Sequence, residues 1–100
     1  MPALRIDLQE GFRNDTVIVR ADGAEVFRKA GVTTRPPVGV AESFEIQTPR
    51  DTTSISIDVP NRSQSASAEV QVSQTPYLGA SFDVSGQLTF HPSAEMFRYM

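Results

Sequence analysis

Cysteine is absent from the chain, which rules out disulfide staples, thiolate chemistry and any cysteine-based zinc site, so apolar burial must carry the fold alone. Tryptophan is absent too, and histidine occurs once, at position 91. One imidazole leaves no spare parts for a Ser-His-Asp arrangement or a histidine-based metal site, and His91 reads as structural or solvated. Positive charge is scarce: nine lysines and arginines face twelve acids, for a net charge of −3. Such a chain carries no electrostatic footprint for a phosphate backbone, so nucleic acid is not an expected partner. No apolar run approaches the roughly 20 residues of a membrane helix. The first ten residues alternate apolar with charged side chains and never build the apolar core of a signal peptide. A cytoplasmic protein with no membrane partner is therefore expected. The glycines are dispersed, with neither a G-x-G-x-x-G nor a G-K-[ST] phosphate loop among them.

What the chain does have is alternation. Leu4, Ile6 and Leu8 alternate with Arg5 and Asp7, Phe44 and Ile46 with Glu45 and Gln47, and Ile55, Ile57 and Val59 with Ser56 and Asp58. Ala66, Ala68, Val70 and Val72 follow the same period, as do Leu78, Ala80, Phe82 and Val84, and Leu88 with Phe90 opens a last strand. A period of two along successive segments, punctuated by glycine, proline and asparagine, predicts strands with one wet and one buried face. The expected fold is all-β: a single domain over residues 1–100, an antiparallel two-sheet β-sandwich of seven or eight short strands, immunoglobulin-like or jelly-roll-like. Residues 31–39, with Arg35-Pro36-Pro37, read as an irregular connection, because proline is stiff and lacks a donor. Residues 93–100 are compatible with either a short helix capped by Ser93 or a final strand.

The strongest local signal is Thr16 to Lys29, two β-rich runs joined by Asp22-Gly23, the dipeptide suited to a type I′ turn. A two-residue turn sets Ala21 opposite Ala24, Arg20 opposite Glu25, Val19 opposite Val26 and Ile18 opposite Phe27. One face is then aliphatic, with Val17, Val19, Ala21, Ala24 and Val26 directed at the core. The other carries Ile18 and Phe27 beside an Arg20–Glu25 charge pair.

That outward apolar pair motivates a protein-interaction surface of Ile18 and Phe27, extended by Phe97 and Tyr99 from the apolar tail that Met96 and Met100 share. The expected function is a non-enzymatic protein-interaction or structural module, self-associating in one version. An alternative from another class is a carbohydrate-binding module, calcium-dependent in one version. Tyr77 would be its ligand contact and the loop-borne acids Glu10, Asp15 and Asp51 the oxygen donors. No Asp-x-Asp-x-Asp spacing supports a cation, no two acids stand out as a catalytic pair, and no cofactor is expected.

The segment Asp15 to Thr34, read as Asp-Thr-Val-Ile-Val-Arg-Ala-Asp-Gly followed by Glu25-Val26-Phe27 and Val32-Thr33-Thr34, resembles a pattern in short bacterial proteins of unassigned function. Tyr77-Leu78-Gly79 and the terminal Phe97-Arg98-Tyr99-Met100 extend the likeness over most of the chain. The resemblance implies a β-sandwich and brings no activity with it. The strand-Asp-Gly-strand unit is also similar to one in some calcium-dependent xylan-binding modules. Ring content and acidic spacing depart from theirs, so no sugar-site residue is carried over.

Overall fold

In the computed structural model, which describes residues 2–36 and 38–98, the alternating segments form eight strands. They are β1 (Ala3–Leu8), β2 (Asp15–Ala21), β3 (Ala24–Val32), β4 (Glu42–Gln47), β5 (Thr52–Val59), β6 (Gln64–Gln71), β7 (Tyr77–Phe82) and β8 (Leu88–Ser93). The described residues contain no α-helix; a single 3-10 turn, Pro60–Arg62, links β5 to β6. The strands pair into two four-stranded sheets, in the orders β4-β1-β7-β8 and β3-β2-β5-β6. The first sheet is mixed, because β1 lies parallel to β7, with Ile6 beside Leu78 and Leu8 beside Ala80. This corrects the expectation of purely antiparallel sheets. Among the described residues the tail forms no helix: β8 runs on through Pro92 to Ser93, and residues 94–98 are irregular.

One apolar cluster draws on both sheets. Leu4, Ile6, Leu8, Leu78 and Ala80 come from the first, and Val17, Val19, Ile55, Ile57 and Val59 from the second. These are the apolar phase of each alternating segment, so the period of two translates directly into a buried face. The few buried polar groups are satisfied locally: Thr53 Oγ1 donates to the carbonyl of Arg50, and Ser43 Oγ to the buried carboxylate of Asp7.

The β2–β3 hairpin turns as its sequence demands, with Asp22 at φ 50° and Gly23 at φ 85°. Asp22 is held there by the Ser54 N–H and the Arg50 guanidinium, both donating to its carboxylate. Beyond Arg20–Glu25, however, the register slips. Val19 pairs with Phe27, Ile18 with Arg28 and Val17 with Lys29, because a bulge leaves Val26 without a partner. One extra residue in a strand exchanges the faces of everything after it. Phe27 therefore turns inward to pack on the core, while Val26 is 38% exposed. The expected pairing of Ile18 with Phe27 on the outer face does not form. Ile18 keeps its outward phase between Arg28 and Asp58, is only 8% exposed, and stands outside the core cluster.

Inward rotation of Phe27 closes one flank of the molecule. Its ring stacks on Phe44 of β4 at a centroid separation of 4.0 Å, and next to it Lys29 pairs with Glu42. The edge strands of the two sheets are thus fastened to each other by an aromatic stack and an ion pair.

Candidate functional site

Four connections meet at one end of the molecule: the β1–β2 loop, the β3–β4 loop, the 3-10 turn after β5, and the β7–β8 turn. Backbone hydrogen bonds tie the first to the β3–β4 loop and to the end of β7. The Phe82 N–H donates to the carbonyl of Glu10, and the Thr34 N–H to that of Phe12. Thr34 Oγ1 in turn accepts from the Phe12 N–H and donates to the carbonyl of Gln9.

Asp15 lies at the base of this assembly, 1% exposed, at the first residue of β2. Its carboxylate accepts two hydrogen bonds from Arg62, Nε at 2.9 Å and Nη2 at 2.7 Å, plus one from Asn61 Nδ2 and one from the Arg13 N–H. Arg62 Nη2 also donates to the carbonyl of Gly11, and its guanidinium carbon sits 4.0 Å above the centre of the Phe82 ring. Phe82 meets Phe12 edge-on at 5.0 Å. Planar guanidinium suits this position because it satisfies a carboxylate in two places while stacking on an aromatic face. Burial pushes the Asp15 carboxyl upward, but the hydrogen bonds from Arg62, Arg13 and Asn61, with the charge of Arg62, outweigh it. The group therefore ionises below the ordinary carboxylate range.

Above this brace opens a cleft of about 610 Å³, walled by Glu10, Gly11, Phe12 and Arg13 on one side and by Thr33, Thr34, Pro36 and Gly39 on the other. Gly11 is required by space as well as by its φ of +90°, since a Cβ there would stand 2.7 Å from Cβ of Phe82. At Gly39 the requirement is its φ of +85°, because the Glu10 carboxylate that a Cβ would meet is the far end of an exposed side chain that can move aside. Gly11 lets a backbone and its neighbour approach closely enough to form a wall. The Glu10 carboxylate and the Arg13 guanidinium are exposed at the rim. Two apolar side chains project from the same loops, Val38 from β3–β4 and Val84 from β7–β8, the latter at 110% relative exposure. The turn carrying Val84 is rigid: Asp83 Oδ1 accepts from the Ser85 N–H, Ser85 Oγ and the Gln87 N–H.

The residues singled out from sequence are dispersed. Tyr77 begins β7 at the opposite end of the molecule, half-buried beside Arg5 and Ser93. Phe97 is half-buried beyond β8, and Tyr99 lies outside the described residues. Ile18 and Phe27 fall on opposite faces of their sheet. The three loop acids do not converge: Asp15 is committed to Arg62 and Asn61, while Asp51 at the far end accepts from the N–H and hydroxyl of Ser73. Among the described residues no group of three or more His, Asp or Glu side chains could hold a metal ion. His91 Nε2 lies 2.9 Å from Ser81 Oγ and 3.3 Å from Thr89 Oγ1 on the surface of the β7–β8 pair.

The Asp15–Asn61–Arg62–Phe82 brace was not legible in the sequence, because its members lie 46 or more residues from Asp15. A turn-forming Pro-Asn-Arg after a clean strand was its only trace. Glu10 and Gly11 were visible as loop residues, with nothing to say that they formed a wall. No protein-family model, curated protein or solved structure matches the chain.

Proposed function

We propose that this protein is a non-enzymatic protein-interaction module, a two-sheet β-sandwich of immunoglobulin-like or jelly-roll-like type that meets its partner at the end bearing the cleft. One observation carries the reading: apolar side chains, Val38 and Val84, are held out in solvent, at the end of the molecule that bears an open cleft, by loops that hydrogen bonds fasten. Exposed apolar groups on pre-ordered loops lose little entropy when a partner covers them, which is the economical way to build a contact surface. Glu10 and Arg13 at the rim supply opposite charges for orientation.

A binding role also fits where the titratable groups are used. Asp15, Asp22, Asp51 and Asp83 each accept framework hydrogen bonds, and the one imidazole is joined to neighbouring hydroxyls. These groups serve the scaffold. Among the described residues no helix is long and apolar enough to cross a membrane.

Photo-crosslinking in cells that make the protein tests the proposal. A benzophenone side chain replacing Val84 or Val38 should give a discrete protein adduct that weakens at least tenfold with Arg13→Glu. The same probe replacing Glu45, on the outer face of β4, should give none. Equal adducts from all three positions, or none from the loops, would remove the loop end as the contact.

A further inference from the structure

The two sheets leave four edge strands, and three of them are blunted in ways that discourage pairing. β3 is kinked by the bulge at Val26 and carries Glu25, Arg28 and Lys29; β4 is short and tied to β3 through Phe44 and Glu42; β8 contains Pro92. β6 lacks the proline, the bulge and the basic residues, although Gln64 at its start accepts a hydrogen bond from the Leu88 N–H of β8. Its eight residues pair with β5 in unbroken register from Gln64 to Gln71, and it contains no proline, no basic residue and no bulge. Among the described residues, the outward backbone groups of residues 64–70 take no backbone partner. Ser65, Ser67 and Glu69 are exposed, and even the inward Ala66 and Ala68 remain half-exposed at this edge. Phe90, on the neighbouring β8, is only partly covered.

We infer that β6 is the site of self-association: a second copy of this chain adds its own β6 antiparallel, extending one sheet through a two-fold axis to the order β3-β2-β5-β6-β6-β5-β2-β3. The strand complements itself. Centred on Ser67, the pairing sets Ser65 opposite Glu69 and Ala66 opposite Ala68, so hydroxyl faces carboxylate, methyl faces methyl, and no like charges oppose one another. The opposite flank cannot do this, since Phe27, Phe44 and the Lys29–Glu42 pair already close it. A contact made of one strand is small, which places the dimer in the weak, reversible class. It is independent of the loop-end reading, because the cleft and β6 share no residue.

Sedimentation and hydrogen exchange decide it. The weight-average mass should climb from 10.9 kDa toward twice that value between ~10 µM and ~1 mM, the span expected of a small interface. Over the same range, exchange at residues 64–70 should slow at least fivefold while β3 amides are unaffected. Ser67→Lys, which places like charges face to face at the axis, should abolish both effects; Arg13→Glu should leave both intact. A protein that stays monomeric at ~1 mM, or a dimer that survives Ser67→Lys, overturns the proposal. Should Ser67→Lys fail to fold, the exchange data on the unmodified chain still decide, because protection gained at any strand other than β6 is equally fatal.

Discussion

Asp15 shows how much one buried carboxylate can govern. Four hydrogen bonds converge on it from Arg13, Asn61 and Arg62, and through Arg62 it holds the carbonyl of Gly11 and the ring of Phe82 in place. Truncating it strands a half-buried guanidinium, so Asp15→Ala is expected to cost about 2–4 kcal/mol in a urea titration. Because its folded pKa lies below the ordinary 3.8, its stabilisation is fully present above that value and disappears as the pH drops through the lower folded one. Thermal melts from pH 6 downward should therefore show a steep acid decline in the parent protein and a shallower one in Asp15→Asn, whose side chain cannot ionise. Gly11 is the neighbouring test. A methyl group there meets Phe82 Cβ and carbonyl oxygen at a backbone angle that only glycine adopts freely, so Gly11→Ala should destabilise by roughly 1–3 kcal/mol and distort the cleft wall.

For the strands, the period of two proved a sufficient guide. Every alternating segment became a strand, and in β1, β2, β5 and β7 the visible apolar phase is buried, although Asp7, Ile18 and Gly79 of the other phase are buried with it and Val84, beyond the end of β7, is exposed. β3 is the instructive exception. Its Asp-Gly turn formed as the residues demand, yet the bulge at Val26 reversed the faces beyond it. Nothing in the run Ala-Glu-Val-Phe-Arg-Lys announces a bulge, since regular and bulged pairings both bury a large apolar residue. Phe27 offers a bigger apolar surface than Val26, and inside it gains the stack on Phe44, a contact whose existence depends on where β4 lies. The two registers make opposite forecasts for mutants. Val26→Lys should change stability by less than about 0.5 kcal/mol and Phe27→Lys by more than about 3 kcal/mol, whereas a regular hairpin would reverse that order. A Phe27/Phe44 double-mutant cycle should return a coupling of about 0.5–1.5 kcal/mol.

Over the whole molecule, the arrangement of strands creates the candidate site. The sheet orders bring all four odd-to-even connections to one end, which is why Glu10 and Pro36 line one cleft and the connections carrying Arg62 and Val84 lie at the same end, although the sequence scatters them. The same orders send Tyr77 and Asp51 to the opposite end, and with them the expected gathering of loop acids around an aromatic ring. Sheet order also decides which strands are edges, β4 and β8 in one sheet and β3 and β6 in the other.

Residue order by itself determined the strands, the buried apolar phase of those other than β3, and the Asp-Gly turn, because each of these depends on side chains a few positions apart and on backbone preferences local to one residue. Tertiary structure alone decided the parallel β1–β7 pairing, the bulge that turns Phe27 inward, and the Arg62 brace beneath the cleft. All three are bargains struck between segments distant in the chain, and burial of apolar area, which drives them, is indifferent to which segments supply it.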